Sequence, residues 1–429
     1  MKNLYIKTYG CQMNVYDSER MAELLHPHGF RLSQEQKTAD LIILNTCHIR
    51  EKATEKIYSE LGRIPKNILT VVAGCVAQAE GEEIVKRAKN ANIVVGPQSY
   101  HRLPVLLEKF KREQKWQVEL DFVDNDKFDD LPNRGVPSSP SCFLTIQEGC
   151  DKFCHFCCVP YTRGQEFSRP QDDILKEAIE LVQNGAQEIT LLGQNVSAYY
   201  NNGKLSTLLK KLVKIKPLKR LRYLTSHPMD MMDEALYFLH AKEPKIMPYL
   251  HLPVQSGSDK ILRAMNRKHT RDEYFSIIDK FIKFRTDMFF SSDFIVGYPG
   301  ETDQDFQDTV DLVERTPFGQ CYSFKYSPRP GTPSTLLEDQ IPERVKNERL
   351  QILQSLLSNK QLMFNKSCKG KFFDVLFEKK GKHPDQFIGK SPYLQSVIVN
   401  SNVNLIGQMQ NVKIIRSHFS YLEGELCHA

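Results

Sequence analysis

Three cysteines at positions 150, 154 and 157 share one short run, Glu148-Gly149-Cys150-Asp151-Lys152-Phe153-Cys154-His155-Phe156-Cys157. The spacing C-x3-C-x2-C supplies three thiolates from a single loop. Three thiolates can hold three irons of a cubane [4Fe–4S] cluster and leave the fourth iron without a protein ligand. An open iron can bind a small molecule, as an open position on zinc admits substrate. The plainer readings are a zinc site completed by His155 and a loop with incidental thiols. Neither readily accounts for three such closely spaced cysteines. Cys158, adjacent to the third, is awkwardly placed for a fourth ligand and reads as packing.

A second set is scattered. Cys11, Cys47 and Cys75 each follow a short apolar run: Leu4-Tyr5-Ile6, Leu41-Ile42-Ile43-Leu44 and Leu69-Thr70-Val71-Val72. If these runs are parallel strands, their carboxyl ends share one sheet edge, where ligands bind. The three thiols then converge although they lie far apart in sequence. Zinc is the competing metal, and three buried core cysteines are the bland alternative.

The elements that must position these residues follow from apolar periodicity. Up to residue 118, strand candidates (Ile93-Val94-Val95 is another) alternate with helical patterns, for example Ser18 to Leu25 and Arg50 to Leu61. That alternation predicts a parallel α/β domain. Residues 119–140, rich in Asp, Pro and Ser, read as a linker. Over 141–366 six further strand candidates (143–146, 189–192, 221–224, 249–252, 289–296, 322–324) predict a partial (β/α)6 barrel. The three-cysteine loop follows its first strand, at the end where barrel active sites gather. A charged helix spans roughly Gln340 to Lys366. Residues 367–429 carry short β-rich runs that predict a small antiparallel barrel of the OB type.

Net charge is +6, compatible with a nucleic-acid partner without requiring one. The first seven residues lack the apolar core of a signal peptide. No apolar run approaches the ~18 residues a membrane span needs. The chain thus reads as cytoplasmic, with no membrane partner. In a reducing compartment its 11 cysteines are expected to be ligands or core residues rather than disulfides. No Ser/His/Asp arrangement or Walker-type loop competes as an active site.

The run Cys150 to Cys157 resembles the signature of the radical S-adenosylmethionine (SAM) enzymes. The resemblance implies that SAM chelates the open iron and is cleaved to a 5′-deoxyadenosyl radical. It also implies that Phe156 lies beside the adenine, that Gly193-Gln194-Asn195 recognises the methionyl amine, and that Ile295-Val296-Gly297 lines the adenine side. Cys11, Cys47 and Cys75, with Asn45-Thr46-Cys47-His48-Ile49-Arg50-Glu51-Lys52-Ala53, resemble the N-terminal domain of the methylthiotransferases. The tail resembles that family's RNA-binding TRAM domain.

The resemblance covers essentially the whole chain. It is strongest to the branch that modifies isopentenylated adenosine beside the tRNA anticodon, through Val159-Pro160-Tyr161-Thr162-Arg163-Gly164, Ser168-Arg169-Pro170, Leu192-Gly193-Gln194-Asn195-Val196 and Tyr326-Ser327-Pro328-Arg329-Pro330-Gly331-Thr332. In two places the chain departs from the pattern. Cys158 replaces an aliphatic residue. Gly389-Lys390 stands where the TRAM barrel usually has Gly-Arg, so a forked phosphate contact is lost there.

The resemblance implies two [4Fe–4S] clusters, one on Cys150, Cys154 and Cys157 and an auxiliary one on Cys11, Cys47 and Cys75 that carries a sulfur. It implies a methylthio group added to C2 of N6-isopentenyladenosine in tRNA, with a reducing electron donor and a sulfur donor as partners; the oligomeric state is left open, with a monomer as the default. Arg163, Arg329, Lys379, Lys380 and Lys390 are candidates for RNA phosphates in an anticodon loop. The alternatives are methylthiolation of threonylcarbamoyl-adenosine in tRNA or of a ribosomal-protein aspartate, and a non-enzymatic Fe–S RNA-binding module.

Overall fold

The computed structural model describes all residues except 49–52, 123–125, 138 and 428–429. The Ile49–Lys52 part of the motif around Cys47, and the start of the helix expected from Arg50, lie outside the described residues. So does part of the 119–140 segment. The chain forms two compact units: residues 1–135 with 148–151 and 157–167, and residues 136–147, 152–156 and 168–429.

The first unit is built on six parallel strands, β1 (Lys2–Thr8), β2 (Phe30–Leu32), β3 (Leu41–Thr46), β4 (Leu69–Gly74), β5 (Ile93–Val95) and β6 (Gln117–Glu119). Their order in the sheet is β2-β1-β3-β4-β5-β6. Side chains alternate across a strand, so Ile43 and Ile42 face opposite layers. Leu4, Ile43, Val71, Ile93 and Val95 pack against helices Gln12–Leu25 and Leu103–Glu113. Ile42, Leu44, Val72 and Val94 pack on the other face with Ile57, Leu61, Val76 and Ile84. The chain moves from β1 outward to β2, then returns to β3 on the opposite side of β1. That reversal opens a crevice at the carboxyl ends of β1 and β3. Two of the scattered cysteines follow those two strands.

In the second unit the six expected barrel strands are present. Ser141–Thr145, Glu188–Leu192 and Arg220–Tyr223 form one parallel sheet. Tyr249–His251, Phe289–Val296 and Phe318–Lys325 form another. A parallel bridge between Leu221 and Ile246 joins them into one partial barrel. Its core includes Leu144, Leu191, Leu221, Leu250 and Phe290 beneath Ile174, Leu208, Leu236, Ile278 and Leu312 of the surrounding helices. A 25-residue helix, Glu343–Ser367, leads into the tail.

The tail is a closed barrel of five strands, Phe372–Lys380, Gln386–Lys390, Ser396–Asn400, Met409–Ser417 and Tyr421–Leu426. It is not wholly antiparallel: Ser396–Asn400 and Tyr421–Leu426 run parallel. An odd number of strands cannot alternate direction all the way around a closed ring, so one pair must be parallel. The tail docks on the barrel through buried arginines. Arg220 Nη1 donates to Lys390 O (2.9 Å), and Arg222 donates to Ser391 O (3.0 Å) and Pro392 O (2.6 Å). Glu188 pairs with both guanidinium groups, so their charge is not left bare.

Candidate active site

Cys11, Cys47 and Cys75 stand just beyond β1, β3 and β4, three neighbours in the sheet. Cys11 is the N-cap of helix Gln12–Leu25, and Cys75 opens helix Cys75–Glu80. Cys47 and Cys75 are buried, and Cys11 is partly exposed. Gly10 makes the close approach possible. It sits at φ +108°, and a Cβ there would overlap the Cβ of Cys47. Two buried asparagines brace the rim. Asn14 Nδ2 donates to Thr46 O and Asn45 Nδ2 to Asn14 O, both at 2.8 Å. Cys11 Sγ donates to Asn14 Oδ1 (3.5 Å).

Arg163 enters this region as well. Its guanidinium donates to Asp17 Oδ2 (2.6 Å) and Glu148 Oε1 (3.4 Å). Lys127 Nζ closes the network on Glu148 at 2.8 and 2.9 Å. Burial pushes the Cys75 thiol up, and the Arg163 charge opposes that push.

Among the described residues, no group of three or more His, Cys, Asp or Glu closes around a point as a single metal ion requires. A cluster that takes one thiolate per iron needs its sulfurs further apart than the four ligands of one zinc. The donors at this sheet edge are soft thiols, the set that iron–sulfur clusters use.

The loop with the other three cysteines is divided between the units. In the first unit, Cys150 N donates to Gly164 O (3.2 Å) and Cys157 Sγ accepts from Val159 N (3.5 Å). In the second, residues 152–156 are stitched to the turn after helix Asp259–Ala264. Asn266 Nδ2 donates to Phe153 O (3.0 Å), His155 N to Met265 O (3.0 Å), and His155 Nδ1 to Ala264 O (2.9 Å). Cys154 is buried, and Arg267 Nη1 donates to its sulfur at 3.5 Å. A thiolate there gains a charge-assisted bond that suits a cluster ligand.

Residues carried over for SAM occupy the same unit. Phe156 packs with Ile261, Met265, Tyr298, Tyr326 and Ile295. Gly193 abuts Gln147, where a Cβ would press on the Gln147 side chain, and Gln147 Oε1 accepts from Asn195 N (3.1 Å). The Asn195 amide is committed inside the protein: Nδ2 donates to Asp230 Oδ2 (2.7 Å), and Oδ1 accepts from His227 N (3.0 Å) and Ser197 Oγ (2.9 Å). Lys152 Nζ meets the other oxygen of Asp230 at 2.8 Å. Gln194 is half-buried beside them. Gly297 directs its N–H to Glu301 Oε2 (2.7 Å), which in turn pairs with Arg349.

Over residues 144–313 the chain matches the radical SAM superfamily, over 3–96 the uncharacterized protein family UPF0004, and over 366–427 the TRAM domain. It is 57% identical to the tRNA-2-methylthio-N(6)-dimethylallyladenosine synthases of Rickettsia felis and Rickettsia prowazekii, over 99% of each chain. The chain belongs to this radical SAM methylthiotransferase family. Its fold is also similar to the cobalamin- and [4Fe–4S]-bound radical SAM methyltransferase TsrM of Kitasatospora setae (TM-score 0.57, 13% identity, 90% of this chain and 76% of that one). The cobalamin-dependent radical SAM enzyme OxsB is similar too (TM-score 0.54, 12% identity, 83% and 56%). At those identities the likeness concerns the fold alone. Among the described residues no helix is long and apolar enough to cross a membrane.

Among the residues carried over for RNA, the Arg163 side chain is 2% exposed and bound to Asp17 and Glu148. Lys390 is half-buried, its Nζ donating to Ser396 Oγ (3.1 Å), and Arg329 is half-buried. Lys379 and Lys380 are exposed. Sequence reasoning missed Asn14, Asp17, Lys127, Glu148, Asp230 and Arg267. A signal existed for the first two: they stand three and six residues after Cys11, on the helix it caps. Nothing local marks Arg267 or Lys127.

Proposed function

We propose that this chain adds a methylthio group to C2 of N6-isopentenyladenosine beside the anticodon of tRNA. The observation that carries this reading is the placement of Cys11, Cys47 and Cys75 at three adjacent strand ends, in a chain that matches the named synthases over its whole length. When bound, the two [4Fe–4S] clusters and SAM supply the radical chemistry and the methylated sulfur.

The residues hold and orient these groups. Cys150, Cys154 and Cys157 are the ligands of the SAM-cleaving cluster, with Arg267 bonded to the Cys154 sulfur. Cys11, Cys47 and Cys75 are the ligands of the auxiliary cluster. Phe156 and Ile295 would offer an apolar wall to the adenine of SAM, and Gly193, Gln194 and Asn195, the last fixed on Asp230, would recognise its methionyl amine. The C2–H of adenine has no acidic proton for ordinary acid–base chemistry, and no Ser/His/Asp arrangement is required. Lys379 and Lys380, exposed on the tail barrel, are candidates for phosphate contacts. Arg329 and Lys390, half-buried, are weaker ones.

The working enzyme is a cytoplasmic monomer that draws on a reductant and a sulfur donor. We divide it functionally at residues 1–118, 141–366 and 367–429, with 119–140 as the linker. The test is mass spectrometry of tRNA nucleosides from a strain lacking the gene, with the purified, cluster-replete protein added back to that tRNA. The reading expects 2-methylthio-N6-isopentenyladenosine to vanish and then return. Persistence of that nucleoside in the deletion strain, or product only on a ribosomal protein, overturns it.

A further inference from the structure

We propose that Arg163 is a positioning residue of the Cys11/Cys47/Cys75 site. It stands only six residues after Cys157, yet its side chain serves the other set of cysteines. The proposal rests on the reading that these three thiols hold a cluster.

Four observations, all within the first unit, lead here. The guanidinium is buried, and its charge acts on the Cys75 thiol against the push of burial. Its Nη2 donates to Asp17 Oδ2 (2.6 Å) and also reaches Asn14 Oδ1 (3.4 Å), the oxygen that accepts from the Cys11 thiol. The short helix that carries it, Val159–Arg163, packs against the helix that Cys75 opens. Its backbone is fixed on both sides: Arg163 O accepts from Gln98 Nε2 (2.9 Å), and Gly164 O accepts from Cys150 N (3.2 Å).

The physical role follows. A cluster held by three thiolates concentrates negative charge at a buried sheet edge. Hydrogen bonds and net charge around the sulfurs set its potential and its hold on iron. Arg163 supplies a cation whose planar fork reaches Asp17, Asn14 and Glu148 together, which a lysine cannot match in geometry. Asp17 and Glu148, with Lys127 behind Glu148, hold that fork in place. The arrangement also ties the segment after Cys157 to the helix that Cys75 opens, both within the first unit.

The test uses the full-length chain with Cys150, Cys154 and Cys157 replaced by Ala, so that only the auxiliary site can load. Iron and sulfide content, the rate of iron loss to a chelator and the midpoint potential are read for this parent and for Arg163→Gln and Arg163→Lys in the same background. The proposal expects Arg163→Gln to lose iron about 10- to 100-fold faster and to shift the potential of the retained cluster to more negative values. Arg163→Lys, which keeps the charge, stays near the parent potential while losing iron faster. A parent that binds no iron sinks the cluster reading itself. A parent that loads normally, with Arg163→Gln at the parent potential or shifted no more than Arg163→Lys, overturns the proposal and leaves that reading standing. Should Arg163→Gln lose its cluster entirely, Asp17→Asn takes its place: it frees the fork and keeps its charge. Faster iron loss supports the positioning role, and an unchanged rate overturns it.

Discussion

Arg163 and Asp17 form an ion pair at 2.6 Å with both side chains 2% exposed, 146 residues apart in the chain. The pair joins the segment after Cys157 to the helix capped by Cys11. Its value lies less in net attraction than in what either partner becomes alone. Two buried charges repay their desolvation only when both are present.

Asp17→Ala should therefore cost about 3–5 kcal/mol, because it leaves the Arg163 guanidinium buried without its closest counter-charge. Chemical denaturation followed by a probe in the first unit reads this loss. The double variant Asp17→Ala/Arg163→Met should recover part of it. A double variant as unstable as the sum of the singles would show that the two residues act independently.

Gly10→Ala tests the approach of Cys11 to Cys47. The backbone at φ +108° disfavours any L side chain, and the new methyl would overlap Cys47. We expect a stability loss above about 1 kcal/mol. We also expect iron stoichiometry to fall by one cluster while the SAM-cleaving cluster remains, seen as 5′-deoxyadenosine formation without methylthiolated product. Full iron content in the variant would refute this account of the glycine.

His269 predicts a pH dependence. Burial, and then the charge of Arg267, hold its imidazole down at about 4. The unfolded chain binds the proton below about 6.5, whereas the folded one refuses it until near pH 4. The contribution is complete above pH 6.5 and is lost as pH falls through that window, reaching about 3 kcal/mol. Urea midpoints of the native chain and of His269→Gln, compared at pH 7.5 and 5, check it. The native chain should lose more on acidification, and parallel losses would contradict the assignment.

Lys379 and Lys380 lie exposed on the tail barrel. If both meet tRNA phosphates, Lys379→Ala/Lys380→Ala should flatten the slope of log affinity against log salt by about one unit per lysine. Binding titrations between 50 mM and 200 mM salt, the range over which phosphate contacts are commonly resolved, would show it. An unchanged slope places the RNA elsewhere.

Much of the scaffold was legible because it is written locally. The apolar runs at 41–44, 69–72 and 93–95 are β3, β4 and β5, and the six barrel strands fall where the alternation put them. β2 and β6 were not anticipated: each has three residues, largely exposed or half-buried, too short for a pattern to register. The tail's strands at 386–390 and 421–426 escaped for a related reason. Only two residues of the first are apolar (Phe387 and Ile388), and the three of the second (Tyr421, Leu422 and Leu426) are interrupted by Glu423, Gly424 and Glu425, so pairing rather than composition makes them strands.

The sequence by itself determined the chemistry. Six cysteines in two patterns, one local and one spaced by strand–helix units, already marked two candidate thiolate sites, because spacing and strand ends are properties of the chain. What only the tertiary structure decided is who surrounds those thiols. Arg163 looks like a surface cation in its own segment, between Pro160 and Gly164. Its partners Asp17 and Glu148 reach it through the fold, and burial, which turns a charge from a solvated phosphate contact into a fixed counter-charge, is set by distant residues that no local pattern records.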